Sequence, residues 1–287
     1  MSDEDALLSA IEAHPEEDTP RLMYADWLDE HGRPLRAEFI RVQCAVKQLE
    51  HRPADEQRRH VSLWRRQEEL LDLHRRDMLG ALGAELTYFD VIFDRGFVSE
   101  LTVSAPVFLR HAASVRALRP TPRIRVTRGG GTSFAPLLRC PELGLVESLL
   151  VGHDPDVWSA IGEPEASAFA WCSYLGRLEV LDLAANNIGD AGLAHLAPGA
   201  NLPVLSELNL SGNEITDGGV ETLIGSPLWP RLRRLDLSGN PLSDAAADLL
   251  TAAARTDLEH VSLRFTNIGP DGHLRLLNRF GGRVDLF

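Results

Sequence analysis

Asp26, Asp29, Glu30 and His31 gather three carboxylates and an imidazole within six residues, the side chains of an acid–base pair or a metal site. A helix with 3.6 residues per turn spreads them around its solvated side, so neither catalysis nor metal binding is expected there. His153, Asp154 and Asp156 also have ligand chemistry, but sit around Pro155 in a segment that reads as loop. Gly129, Gly130, Gly131 and Thr132 are the nearest thing to a phosphate loop, yet no lysine follows, and the run reads as a turn after a strand. Arg58, Arg59, Arg65, Arg66, Arg75 and Arg76 could meet nucleic acid. They alternate with Glu56, Glu68, Glu69, Asp72 and Asp77, the pattern of a helix face laced by ion pairs. The HExxH, GxSxG, GxxxxGK(S/T) and DxDxDG patterns do not occur. No catalytic residue, cofactor or metal site is therefore assigned, and the chain is expected not to be an enzyme.

The 287 residues carry a formal net charge of −13, which disfavours non-specific binding to nucleic acid or to an anionic membrane. Lys47 is the only lysine; the remaining basic residues are arginines. Cys44, Cys140 and Cys172 are odd in number and far apart, forming neither a disulfide framework nor a metal pair, and are expected to be packed thiols of a cytoplasmic protein. Met1 to Asp5 is acidic where a secretory leader is basic, and no run approaches the roughly 18 apolar residues of a membrane helix.

The dominant signal is an internal repeat. Leu178, Leu181, Leu183, Asn186 and Ile188 fit LxxLxLxxNx(I/L) without a mismatch. So do Leu205, Leu208, Leu210, Asn213 and Ile215, and then Leu232, Leu235, Leu237, Asn240 and Leu242. A fourth copy, Leu258, Val261, Leu263 and Ile268, has Thr266 in the asparagine slot. In LxL the leucines point to one side of a short strand and the residue between them to the other. The asparagine amide can serve free backbone groups where the chain leaves the strand, letting coils stack. Asp190, Asp217 and Asp244 precede helical apolar patterns and read as N-caps of return helices. Fainter copies centre on Leu101, Ile124 and Leu149, and Val284 and Leu286 close the series. Strand-to-strand spacings from Leu101 are then 23, 25, 32, 27, 27, 26 and 23. The 32-residue span, over 152–177, reads as an irregular repeat with extra loop, and Val91 to Val98 as a capping hairpin.

Repeats near 27 residues with helical returns resemble ribonuclease-inhibitor-like leucine-rich repeats. That resemblance implies an α/β horseshoe solenoid, with parallel strands on the concave side and helices outside.

Residues 1–82 show helical patterns only. Ser2 and Asp5 form a capping box, Asp18 is expected to cap a helix entered through Pro20, and Gly32 ends it. Helices are predicted over 34–49, with Phe39, Val42, Val46 and Leu49 on one face, and over 54–82. Tyr24 and Trp27 are expected in the core. Thr19, Pro20, Arg21, Leu22, Tyr24, Ala25, Asp26, Trp27 and Leu28, with Ala37 to Cys44, resemble the bacterial repeat-companion domain over about residues 1–48. That family implies a small all-α module ahead of repeats and confers no residue role. The expected organisation is 1–50 companion module, 51–87 helical connector and 88–287 solenoid.

Chemistry then falls to the concave strand face. Asp182, Glu207, Asn209 and Asp236 form an acidic-polar zone, bordered by Arg233, Arg234 and Arg264 and continued by His260 and Ser262. Eight strands of five residues make a sheet of roughly 34 by 17 Å. That flat area of about 580 Å², with loops and relief added, approaches the roughly 800 Å² per partner of a standard protein interface. The expected function is a non-catalytic adaptor holding a protein partner, with nucleic acid and membrane not expected. Two alternatives stay open: a nucleic-acid-associated subunit using the arginine-rich helix 54–82, and an enzyme with its site in the N-terminal module or the 152–177 loop.

Overall fold

The computed structural model describes residues 2–50, 52–129, 135–152, 161–253, 255 and 257–287. Contacts divide the chain into two units, one of residues 1–103 with 110–124, the other of residues 104–109 with 125–287.

In the first unit, α1 (Asp3–Ala13) opens with the capping box: Asp5 N donates to Ser2 Oγ at 3.1 Å and Ser2 N to Asp5 Oδ2 at 3.1 Å. α2 (Thr19–Glu30) ends at Gly32, whose φ of +74° is the left-handed stop glycine accepts without a Cβ penalty. Asp18 does not cap α2 as expected. Its backbone is helical, and its carboxylate lies beside Arg95 and accepts from Gln48 Nε2 at 2.8 Å. Two long cationic or amide side chains outcompete the local backbone for it. α3 (Pro34–Leu49) buries Phe39, Ile40, Val42, Cys44 and Val46, and Tyr24 packs with Leu28 and Ile11 beside it. The helix expected over 54–82 is broken into α4 (Ala54–Arg59) and α5 (Val61–Gly83). α4 buries nothing, so no packing carries the helix through His60; the apolar face resumes with Leu63, Trp64 and Leu70.

The hairpin is present: β1 (Val91–Asp94) pairs antiparallel with β2 (Phe97–Ser104) across Arg95 and Gly96. Positive φ at both turn residues, +48° and +89°, suits the twist of a two-residue hairpin. A Cβ at Gly96 would stand 2.4 Å from Ile40 Cγ1, so glycine alone lets this turn seat on α3.

α6 (Ala105–Arg116) and β3 (Arg123–Thr127) lead into the second unit. There β4 (Val146–Leu150), β5 (Val180–Asp182), β6 (Glu207–Asn209), β7 (Arg234–Asp236), β8 (His260–Ser262) and β9 (Val284–Asp285) each pair in parallel with the next. Leu149, Leu181, Leu208, Leu235 and Val261 form one buried column beneath these strands. Each contributes roughly 1.5–3 kcal/mol on burial, which makes stacking the stable state. Return helices follow: α7 (Ala135–Leu138), α8 (Glu163–Trp171), α9 (Gly189–Leu196), α10 (Asp217–Ile224), α11 (Asp244–Ala252) and α12 (Pro270–Phe280). The 32-residue span thus contains a helix, α8, which packs on α9.

Two polar ladders tie successive coils. Asn186, Asn213 and Asn240 are buried, and each amide donates to a carbonyl of the preceding coil: Val151, Leu183 and Leu210, at 3.0, 2.8 and 2.9 Å. Their Oδ1 atoms accept from Ile161 N, Ile188 N and Ile215 N at 2.8, 3.2 and 2.9 Å. Thr266 only returns a bond to its own Leu263 carbonyl, at 2.9 Å. The second ladder corrects the sequence reading. Thr216 and Ser243 are the N-caps of α10 and α11, and Ile188, with no capping side chain, precedes α9. Asp190, Asp217 and Asp244 instead reach forward to Thr216 N, Ser243 N and Gly269 N, at 2.8, 2.9 and 2.7 Å. Each aspartate anchors the N-terminus of the next helix, where unpaired N–H groups and the helix dipole favour an anion.

Candidate interaction face

The expected columns are in register on the second unit's strands. Asp182, Asn209, Asp236, Ser262 and Asp285 align across β5 to β9, and Val180, Glu207, Arg234 and His260 align beside them. The face is more internally bonded than a free polar surface. Asp182 Oδ1 accepts from Ala184 N and Asp236 Oδ1 from Ser238 N, both at 2.8 Å, while Asn209 Oδ1 accepts from Ser211 N at 3.0 Å. These are Asx-type turns that steer the chain off each strand. Asp182 Oδ2 also accepts from Asn209 Nδ2 at 3.2 Å. Ser262, expected to be offered to a partner, is only 6% exposed, and its hydroxyl is engaged with Ser238 Oγ at 2.8 Å. A short side chain between two close coils is covered by its neighbours.

Arg234 lies 3.5 Å from Glu207 and 3.7 Å from Glu259, with Arg233 at 3.2 Å from the same Glu259. Arg264 pairs with Asp285, and that hydrogen-bonded guanidinium holds the Asp285 carboxyl below the usual carboxylate range. Two clefts open on the face. One of about 210 Å³ is bounded by Asp182, Glu207, Asn209, Arg234, Asp236 and His260. The other, of about 470 Å³, is bounded by Asp236, Ser238, His260, Arg264, Phe265 and Asp285 among others.

Sequence reading overlooked Phe265. The residue before each ladder position has positive φ: Ala185 +52°, Gly212 +62°, Gly239 +66° and Phe265 +55°. Two glycines in a four-residue column were the available sign of a left-handed site, and a phenylalanine there is the exception to notice. Its ring is 85% exposed.

Outside this face several of the candidate residues are engaged within the fold. Arg41 bonds Asp26 and Asp29 at 2.6 and 2.7 Å, and His31 meets the Trp27 carbonyl at 2.7 Å. Arg66 grips Glu38 through two 2.8 Å bonds and Glu69 through one of 2.9 Å. Burial pushes the Cys44 thiol up to about 12 and raises those of Cys140 and Cys172, the direction of unreactive thiols. Tyr24 is buried and its hydroxyl donates to Glu4 Oε1 at 2.7 Å. Gly130, Gly131, Thr132, His153, Asp154, Pro155 and Asp156 lie outside the described residues. Among the described residues no group of histidine, cysteine and carboxylate side chains is placed to hold a metal ion, and no helix is long and apolar enough to cross a membrane.

No curated protein matches this chain. A crystal structure of a protein from Bacteroides fragilis is similar at 14% sequence identity and a TM-score of 0.35, over 58% of this chain. The match spans 66% of that protein's chain, just under two thirds of its length. The Leucine Rich repeat family model matches residues 178–197, 201–223 and 231–250, and these three segments coincide with the coils carrying Asn186, Asn213 and Asn240. Those coils of the second unit are leucine-rich repeats.

Proposed function

We propose that the protein is a non-catalytic adaptor that holds a protein partner on the concave strand face of a leucine-rich-repeat horseshoe. Leucine-rich repeats generally mediate protein–protein interaction. The observation that carries the reading is the registered double column over β5 to β8, in which Asp182, Glu207, Asn209, Arg234, Asp236 and His260 are at least part-exposed and line two open clefts. Glu207, Asn209, Arg234, His260 and Arg264, with Asp182 and Asp236, are the proposed contacts; Ser262 supports the face from within. The same reading takes residues 1–48 as a bacterial repeat-companion module, the repeats as ribonuclease-inhibitor-like, and the location as the cytoplasm.

The test is partner capture from native lysate with Asp182→Arg combined with Asp236→Arg. Both aspartates also hold their own turns, so Glu207→Arg, which touches no backbone group, is the companion variant. Both variants are expected to remain folded by circular dichroism and to lose the partner. Undiminished capture by both would remove the face from consideration.

A further inference from the structure

Phe265 stands where the fold prefers glycine. A left-handed backbone brings Cβ close to the carbonyl, a cost that Gly212 and Gly239 avoid in the two preceding coils. Among the described residues no packing repays it, because the ring is 85% exposed. The four left-handed residues all border the cleft of about 470 Å³. Ala185, Gly212 and Gly239 carry at most one side-chain carbon there, which keeps the cleft open, and Phe265 sets an aromatic ring against it.

The charges around the ring are unequal. Asp182, Glu207, Asp236 and Asp285 face Arg234 and Arg264 across the two clefts, with the His260 imidazole bordering both; the carboxylates outnumber the guanidiniums four to two. Arg264 is taken by Asp285, and Arg234 by Glu207 and Glu259. Among the described residues neither Asp182 nor Asp236 forms a direct ion pair; Arg264, hydrogen-bonded to Asp285, attracts Asp236 only through space, and the second oxygen of Asp236 accepts no hydrogen bond there. An aromatic face and a carboxylate oxygen that accepts no hydrogen bond together suit a guanidinium, which stacks on the ring while donating to the oxygen. The chain's net charge of −13 reinforces the attraction.

We propose that this cleft takes an extended, arginine-bearing segment of the partner, with one arginine lying on Phe265 and reaching Asp236. The proposal rests on the strand-face reading above and names the chemistry of what that face binds.

The probe is a fluorescein-labelled hexa-arginine peptide, followed by anisotropy at about 150 mM salt, where long-range attraction is screened beyond about 8 Å. Hexaglutamate and a glycine–serine hexamer are controls. Wild type is expected to bind hexa-arginine in preference to both. Phe265→Gly, which changes no charge, is expected to weaken it at least tenfold, and Phe265→Trp to restore it. The glycine variant's Tm should equal or exceed that of wild type, since the ring serves no packing. Binding by Phe265→Gly within twofold of wild type overturns the proposal, as does no preference for arginine, or a Tm lowered by several degrees. Partner capture separates the two readings. If Phe265→Gly leaves hexa-arginine binding intact while Glu207→Arg loses the partner, the arginine assignment falls and the face stands. If the charge reversals leave capture intact, the face falls as well.

Discussion

Asn213→Ala tests whether the asparagine ladder, and not leucine burial alone, holds the coils together. The side chain is fully buried; it donates to the Leu183 carbonyl at 2.8 Å and the Ser211 carbonyl at 3.0 Å, and accepts from Ile188 N at 3.2 Å. Truncation does not orphan all three groups. Leu183 O still receives Asn186 Nδ2 at 3.0 Å, and Ser211 O still receives Ala185 N at 2.7 Å. Ile188 N is left buried without a partner, at a cost of about 1–3 kcal/mol. The two lost donations and the small void add about 1–2 kcal/mol. The expected loss is thus about 3 kcal/mol, or roughly 6–12 °C in Tm for a unit of this size. Thr266→Ala, which removes one bond within its own coil, should cost no more than about 1 kcal/mol. Urea unfolding followed by circular dichroism measures both, with the slope required to stay constant so that the midpoint reports stability. A midpoint for Asn213→Ala no lower than that for Thr266→Ala would refute the reasoning.

The remaining predictions are narrower. Gly219→Ala would place a Cβ 2.3 Å from Asp190 Oδ1 and 2.7 Å from Ile215 Cγ2, so a loss of about 2 kcal/mol or more is expected in the same urea assay. Asp190→Ser added to it should recover part of that loss; additive penalties would show that the aspartate is not the obstacle. Burial lowers the His74 pKa, and its ring meets the Leu35 carbonyl at 2.9 Å. The unfolded chain therefore binds this proton at a higher pH than the folded one. Its contribution to stability is present above the ordinary histidine pKa of about 6.5 and is lost as pH falls through that value toward the folded pKa. The midpoint should fall between pH 7 and pH 5, and His74→Gln should flatten that slope; an unchanged slope argues against the assignment.

Legibility followed the range of the interaction. The strands centred on Leu101, Ile124, Leu149, Leu181, Leu208, Leu235, Val261 and Val284 all lie where the repeat placed them, because an LxL pattern declares a buried face within three residues. Ser2 with Asp5 and Gly32 were equally readable, since a cap is satisfied within one turn of helix. The break at His60 was not, because charge alternation continues through it and only the lack of a packing neighbour ends the helix.

The sequence by itself determined which residues face inward, where the coils repeat, and which columns of polar side chains the strands present. Tertiary structure decided what those polar groups do. Asp190, Asp217 and Asp244 look like caps of their own helices until the next coil supplies better donors 25 or 26 residues away. Ser262 looks open until Ser238 closes on it. Phe265 is one letter in a degenerate repeat until the backbone shows its left-handed turn and exposed ring beside a cleft. A hydrogen bond or an exposure is a property of two segments meeting, so no local pattern encodes it.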